Sequence, residues 1–445
     1  MSLRLDVFKL MSFSLLNSLV LKLLGVASFY IIVRALPRTD IGLIGVVGGY
    51  AAILGFLSLG PESALVRDFP KIKDSINKHL SAYMKFWAYR TVLIMAVSLG
   101  LGLWVWHYYQ DVRFFLYMVG IAVSVNLNLF EQIITELFYV DFKQQIVLKV
   151  NLVIKLVFLA LLFSLFWQPD VLLYLGILVG IDAVSAGTWI VLLFRRYHFR
   201  FTGEGARNIL RWNLMDYSLW AHLSNSFNTL VYKIDTLVLS FFAALAAIGN
   251  YTIALEIAGF FFIIPRLLQK SVIVGTVNLQ NTERLNEVIF IFVKYFALLS
   301  VAQLAFFLIA GPWIVSIFTD IAVQEIYLYA LLMLVGVSVL NVVRPISTLI
   351  NTHASMRKGF FWVYLPGSLI GVAAYALGAA WYGPLGVAAA NIVAYSVLAV
   401  LIVVFVHRVV PLKPTFSLMS DIERGLLKDL RTSKGGLEDN TPRKK

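Results

Sequence analysis

The sequence of 445 residues contains no cysteine, which excludes disulfides, thiol catalysis and thiolate metal sites throughout the chain. Charged residues are scarce, at 14% of the chain against about 25% in ordinary globular proteins. The six histidines are scattered without the HExxH spacing of metal ligands, and there is no Walker A sequence. The sequence therefore predicts neither a bound metal nor a cofactor.

Apolar residues, in contrast, make up 60% of the chain and recur in long runs over nearly its whole length. Because about 20 residues cross a bilayer as a helix, this pattern predicts an all-α polytopic membrane protein with about twelve transmembrane helices. The predicted spans are 10–33, 41–60, 86–108, 114–140, 146–167, 171–194, 217–242, 248–270, 289–318, 322–351, 360–380 and 384–407.

The formal net charge of +13 would suit nucleic acid, but the distribution of the charges argues against that partner. If the N-terminus is cytoplasmic, the cytoplasmic segments hold 28 of the 37 lysines and arginines. The outer loops hold only Arg34, Arg38 and Arg113. An excess of basic residues on one side sets membrane topology. We therefore expect a multi-pass protein of the cytoplasmic membrane with both termini in the cytoplasm.

Two pairs of similar segments indicate an internal duplication. IGLIGVVGGY begins at Ile41 and IGNYTIALEI at Ile248, while LGILVG begins at Leu175 and LGVAAA at Leu385, so the offsets are 207 and 210 residues. Repeats that start and end on the same side are related by an axis along the membrane normal. The predicted organisation is an N-terminal six-helix bundle (1–194), a cytoplasmic linker (195–216), a C-terminal six-helix bundle (217–408) and a cytoplasmic tail (409–445).

The span 217–242 carries charges where an apolar helix would be expected. Lys233 and Asp235 lie two residues apart, a spacing that points their side chains in different directions. Because a charge in the bilayer is costly, each needs a partner from another helix or from a ligand. One face of this helix is a polar stripe of Ser218, His222, Asn225, Thr229, Tyr232 and Thr236, with Asn228 beside it.

The first span has a lighter stripe, in which Ser14, Ser18, Gly25 and Ser28 share a face. Close helix packing through small residues explains serine and glycine, but explains buried charges poorly. We therefore expect facing walls of a cavity between the bundles, suited to a phosphate-bearing ligand. Its predicted lining residues are Asn17, Lys22, Lys155, His222, Asn225, Asn228, Lys233, Asp235 and Arg344, and the candidates for ion coupling are Asp182, Asp235 and Glu256.

Three stretches resemble the Wzx-type polysaccharide flippases of the polysaccharide transport family, within the MOP superfamily. The stretch VRALPRTDIGLIGVVGGYAAILGFLSLGPESALVR is similar to the family signature, and the stretches YKIDTLVLSFFAALAAIGNYTIALEI and YGPLGVAAANIVAYS are similar to its seventh-to-eighth and twelfth helices. The positions that match the family pattern are Arg34, Asp40, Gly42, Gly60, Arg67 and Gly249.

The resemblance implies a MATE-like V of two bundles that opens alternately to each side. It further implies a non-enzymatic flippase that moves an undecaprenyl-pyrophosphate-linked oligosaccharide outward for O-antigen or exopolysaccharide biosynthesis. Membrane lipids, a polysaccharide polymerase and chain-length machinery are the partners this implies. A multidrug or cation antiporter of the same superfamily is the first alternative. A membrane-bound polysaccharide polymerase or ligase is the second, disfavoured because the predicted outer loops are short.

Overall fold

The computed structural model describes residues 3–58, 76–141, 143–201, 219–276, 279 and 281–413, with the side chains of the first helix described from Leu19 onward. Every regular element within these ranges is a helix. The first half contains α1 Leu3–Ala35, α2 Arg38–Leu54, α3 Ile76–Tyr109, α4 Val112–Val140, α5 Gln144–Leu162 and α6 Val171–Tyr197. The second half contains α7 Leu219–Leu239, α8 Leu245–Phe260, α9 Ile263–Thr276, α10 Thr282–Phe318, α11 Val323–Thr352 and α12 Leu365–Val409.

Short turns complete these helices. The 3₁₀ turns Gly55–Ser58 and Phe163–Phe166 extend α2 and α5, and a single turn, Met356–Gly359, and a π turn, Phe360–Tyr364, precede α12. Several long helices begin at side-chain caps, which satisfy amides that have no partner inside the helix. The caps are Asp111 for α4, Asp170 for α6 and Asn281 for α10, each accepting from an amide two residues on at 2.8–2.9 Å.

Among the described residues, eight helices are long and apolar enough to cross a membrane, or nine if α8 and α9 count as one bent span. The prediction of an all-α polytopic membrane protein is therefore confirmed. Many apolar side chains on these helices face outward, with Ile309 85% and Trp313 67% exposed on α10. A bilayer supplies the apolar surroundings that such a surface needs.

One predicted boundary is wrong in an informative way. The predicted span 248–270 is broken between α8 and α9, which are bent by 41°, and Pro265 lies in the first turn of α9, where no amide donor is needed. The predicted spans 360–380 and 384–407 correspond to the two arms of α12, which are divided at Gly383 with φ 56° and ψ −136°. The arms pack against each other, since Tyr375 donates to Asn391 Oδ1 at 3.1 Å. Glycine tolerates this positive φ, and Pro384 follows it.

The duplicated segments meet each other at the contact between α2 and α8. A Cβ atom added to Gly42 would collide with the carbonyl oxygen of Leu245, and one added to Gly249 would collide with the carbonyl oxygen of Arg38. Gly249 follows Gly42 by 207 residues, and Leu245 follows Arg38 by the same number. The contact is therefore reciprocal, as across a two-fold axis, and it places the pseudo-symmetry of the two halves at this point.

The three arginines of the predicted outer loops lie at one end of this contact. Arg34 donates to the carbonyl oxygen of Ser316 at 2.8 Å and forms an ion pair with Asp320. Arg113 forms an ion pair with the buried Asp40 at 3.0 Å, and Arg38 donates to Thr319. The bonds of Arg34 and Arg38 tie the first half to the second at the end of α10, whereas the Arg113 pair lies within the first half.

Candidate substrate cavities

The first cavity, here the inter-bundle cavity, has a volume of about 320 Å³ and lies between α1 and the helices α7 to α9. Four charged residues line it: Lys22, Lys233, Glu256 and Arg266. The Lys233 ammonium lies 3.4 Å from a Glu256 carboxylate oxygen, and the two side chains are 47% and 43% exposed. An ion pair this exposed is weak. With three cations and one carboxylate, the inter-bundle cavity presents a net positive charge.

The rest of this wall is largely aromatic. Phe29, Phe260, Phe262, Tyr232 and Tyr395 all contribute to it. Tyr232 packs edge-on against Phe262 at 5.7 Å and against Tyr395 at 5.4 Å between ring centroids. Such T-shaped pairs hold rings in fixed orientations. The charged groups thus stand in a wall of packed aromatic rings.

The second cavity, here the N-bundle cavity, has a volume of about 210 Å³ and is lined by residues of α1, α4, α5 and α6. Two carboxylates face it. Asp182 accepts hydrogen bonds from Ser124 and, at 3.1 Å, from the Asn128 amide. Glu131 accepts one from Ser185 at 2.5 Å. Each carboxylate thus has neutral donors from a neighbouring helix.

Lys155 is the cation that lines the N-bundle cavity. Its ammonium stands over the ring of Phe158, 5.0 Å from the centroid, and it interacts electrostatically with Asp182 and Glu131. Two carboxylates therefore face one ammonium group, so this cavity is suited to a cation or a proton.

The third cavity, here the C-bundle cavity, has a volume of about 170 Å³. Its wall is mostly neutral and polar, with one charged residue, Arg344, among the described lining residues. The Arg344 Nη1 donates to Gln269 Oε1 at 3.1 Å. Tyr232 lines both this cavity and the inter-bundle cavity. The lining residues are Asn225, Asn228, Tyr232, Gln269, Leu340, Arg344, Ser347, Asn351, Tyr364 and Ile402.

Asp235 has a different place from the one predicted. It is fully buried and lines none of these three cavities. Its carboxylate accepts from the Tyr251 hydroxyl and from the Thr236 amide, both at 2.7 Å, and Asn391 donates to the Tyr251 hydroxyl at 3.1 Å. The predicted cavity position of Asp235 is therefore wrong, because α8 and α12 cover that face of α7.

His222 also lies away from the three cavities. Its Nε2 is 3.1 Å from the carbonyl oxygen of Phe56 and 3.2 Å from the Ser226 hydroxyl. Its ring therefore joins α7 to the end of α2, which corrects its predicted place in the cavity wall. The side chain of Asn17 lies outside the described part of the chain, as do Gly60 and Arg67.

The other predicted residues are distributed over three cavities instead of one. Lys22, Lys233 and Glu256 line the inter-bundle cavity; Lys155 and Asp182 line the N-bundle cavity; Asn225, Asn228 and Arg344 line the C-bundle cavity. The prediction that Lys233 takes a partner from another helix agrees with its pairing to Glu256. The roles of these residues in substrate binding and ion coupling stay predictions.

Sequence reasoning singled out neither Arg266 nor Gln269. Both lie on α9 and line cavities, Arg266 the inter-bundle cavity and Gln269 the C-bundle cavity. The two residues are three positions apart and follow Pro265. Together these features would have indicated one polar face of a new helix. Of the described positions of the family pattern, Arg34, Gly42 and Gly249 belong to the contact between the halves, while Asp40 pairs with Arg113 within the first half.

Comparison with solved structures identifies the fold. The chain is similar to a multidrug resistance MATE family transporter of the MOP superfamily in an inward-facing conformation, with a TM-score of 0.69 and 15% identity over 88% of this chain and 96% of that chain. It is also similar to a MATE in the straight conformation, with a TM-score of 0.66 and 16% identity over 92% and 97% of the two chains.

A third match is a MOP superfamily transporter from Pyrococcus furiosus, described by a binding pocket of reverse polarity that suggests a different function. The TM-score is 0.61, with 16% identity over 92% of this chain and 96% of that chain. No protein-family model and no curated protein matches the sequence. The chain therefore has the MATE fold.

Proposed function

We propose that the protein is an alternating-access transporter of the cytoplasmic membrane that moves a lipid-linked oligosaccharide outward, with both termini in the cytoplasm. The observation that carries the proposal is the charge of the cavities. Lys22, Lys233 and Arg266 face a single carboxylate, Glu256, in the inter-bundle cavity. Lysine and arginine bind phosphate through charge-assisted hydrogen bonds, so this cavity suits the pyrophosphate of such a lipid.

The amides of the adjoining C-bundle cavity suit the sugars of the same headgroup. Asn225, Asn228 and Asn351 supply both donors and acceptors, which hydroxyl groups require. In this mechanism the polyprenyl chain stays in the bilayer while the headgroup occupies the cavities. Rocking of one bundle against the other, about the contact of Gly42 with Gly249, then exposes the headgroup to the outer side.

Multidrug or cation antiport is the second candidate, and two observations favour it. One matched structure is a multidrug resistance MATE family transporter, and the N-bundle cavity holds Asp182 and Glu131 beside Lys155. A cationic drug would meet two carboxylates there but three cations in the inter-bundle cavity. The side chains therefore favour an anionic cargo, while Asp182 and Glu256 are the candidates for coupling to an ion.

The decisive experiment is deletion of the gene in its host, complemented with the natural chain or with Lys233→Ala. Deletion should cause a complete polyprenyl-pyrophosphate oligosaccharide to accumulate and surface glycan to disappear. We expect Lys233→Ala to restore membrane abundance but not export, because the headgroup loses a phosphate contact. Lipid extraction with mass spectrometry, and staining of surface glycan, measure both.

Lys294→Ala is the matched control. This lysine lies on α10, over the ring of Tyr295 at 5.1 Å, and lines none of the three cavities. It should restore export fully. Normal surface glycan in the deletion strain, together with increased retention of a cationic dye, would reject the flippase in favour of the antiporter.

A further inference from the structure

Arg344 occupies an unusual position for a charged residue. It lies on α11 directly before Pro345, two turns before the end of the helix, and lines the C-bundle cavity. Pro345 has no amide hydrogen, so the helix lacks its bond to the carbonyl of Asn341 one turn earlier. The Asn341 side chain accepts from Arg344 Nε at a long 3.4 Å. This segment therefore holds a guanidinium group beside an interrupted helix.

The guanidinium is only partly satisfied. A guanidinium group has five N–H donors. Nη1 has the bond to Gln269, while Nη2 is buried and has no hydrogen-bond partner among the described residues. The Tyr232 phenol interacts with the group electrostatically and as a hydrogen-bond acceptor, so it is the Nη2 donor, and not the whole guanidinium, that lacks a partner. A buried donor without a partner is uncommon in proteins, and here it belongs to a full positive charge.

No carboxylate compensates that charge. The described residues that line the C-bundle cavity include no aspartate or glutamate. A second cation lies nearby instead. Arg266 and Arg344 both stand over the ring of Phe262, at 5.0 and 5.2 Å from its centroid. Leaving a buried charge unpaired is strongly destabilising. The arrangement therefore lacks an anion.

We propose that the C-bundle cavity is a second anion subsite, in which Arg344 binds a carboxylate or phosphate group carried by a sugar of the cargo. The sugar part of this statement rests on the proposed function; the anion part does not. The volume of about 170 Å³ equals that of several waters at roughly 30 Å³ each. It accommodates a small charged sugar and no lipid chain.

The geometry separates this subsite from the lysines of the inter-bundle cavity. Tyr232 forms a wall of both cavities, so the two cavities are neighbours. One headgroup can then place its pyrophosphate at Lys22 and Lys233 and its charged sugar at Arg344. The planar fork of arginine matches a carboxylate or phosphate in a bidentate manner. Cargo that carries a second negative charge is therefore preferred over neutral cargo.

The experiment titrates the purified protein in detergent with glucuronate, inorganic phosphate or glucose, and follows the midpoint of thermal unfolding. A ligand that binds only the folded protein raises this midpoint. We expect glucuronate or phosphate to raise it and glucose to leave it unchanged. Response to glucuronate alone identifies a sugar carboxylate as the natural group, and a response to phosphate alone that falls in Arg344→Gln identifies a phosphate. No response to either anion overturns the proposal.

Variants locate the response. Arg344→Gln should weaken the anion response roughly tenfold or more, since a charge-assisted bidentate contact is lost, while Lys294→Gln, which lies outside the three cavities, should leave a response of the natural size. Because Arg344→Gln removes an unpaired buried charge, it should also raise the unfolding midpoint without ligand. An unchanged anion response in Arg344→Gln, or a lower midpoint without ligand, contradicts the subsite.

Gln269→Glu tests the same idea without removing the arginine. The new carboxylate lies where Gln269 Oε1 already accepts from Arg344, so it should supply the missing anion from within the chain. We expect a higher midpoint without ligand and loss of the anion response. A retained response in this variant overturns the proposal. Because none of these titrations measures transport, their failure is distinct from failure of the export experiment.

Discussion

The two bundles share a fold but place their charges in opposite ways. In the N-terminal bundle the acids Asp182 and Glu131 face a cavity. In the C-terminal bundle the acid Asp235 is fully buried behind Tyr251, and the cation Arg344 faces the cavity instead. Duplication therefore preserved the helices and the contact between them, while the side chains that face each cavity diverged.

This difference shows which parts of the molecule are constrained by packing and which by a ligand. Where two backbones touch, at Gly42 and Gly249, equivalent positions keep the same residue and the same geometry. In the N-bundle and C-bundle cavities, the net charge of the lining residues differs in sign. Experiments on both halves can therefore test whether equal geometry gives equal effects, and whether unequal surroundings give unequal ones.

The largest effect should come from the symmetric contact. Gly42→Ala and Gly249→Ala each place a Cβ against a backbone carbonyl oxygen, which cannot move aside as a side chain can. We expect each to lower the free energy of unfolding by about 3 kcal/mol, at the upper end for overpacking, and the two costs to be equal. Unfolding in detergent, followed by circular dichroism, measures them.

Gly48→Ala is the matched control on α2. A Cβ there would have no atom within 4 Å, so the variant should stabilise the helix by about 0.5–1 kcal/mol. Clearly unequal costs at Gly42 and Gly249 would show that the two halves are not related by the reciprocal contact.

A smaller loss is expected when the buried acid of the C-terminal bundle loses its donor. Tyr251→Phe removes the 2.7 Å bond to the Asp235 carboxylate and leaves that group with no route to water. The cost should be about 1–3 kcal/mol of unfolding free energy. Tyr327→Phe is the control, because its hydroxyl donates to Leu308 at 3.3 Å at an exposed position and should contribute little.

The smallest effect should come from the corresponding change in the N-terminal bundle. Ser185→Ala removes the donor to Glu131, but this carboxylate borders a cavity from which water can replace the lost bond. We expect a loss of about 0.5–1 kcal/mol of unfolding free energy. This is below the loss for Tyr251→Phe when both are measured by unfolding in detergent. An equal or larger loss would contradict the assignment of one acid to a cavity and the other to the core.

Much of the fold could be predicted because hydropathy is a local property. The long apolar runs predict helices that cross a membrane, and the 207-residue offset makes Gly249 the equivalent of Gly42. The break after Phe260 was missed, because it depends on how Pro265 is accommodated by its neighbours.

The candidate site could be predicted only in part. Helical periodicity placed Lys233 and Asp235 on different faces of α7, and the structure pairs Lys233 with Glu256. Helical periodicity could not show that Asp235 is covered by Tyr251 and Asn391. A pattern of 100° per residue states which side chains share a face, but it carries no information about what lies against that face.

The sequence by itself determined the membrane environment, the helical class and the internal duplication, because each follows from composition or from a repeat along the chain. Only the tertiary structure decided which charges reach open space. Arg266, Gln269 and Arg344 come from two separate helices, and Tyr232 from a third. Whether a buried charge faces a cavity or a hydrogen-bonded core is set by the helices packed around it, and that packing joins residues far apart in the chain.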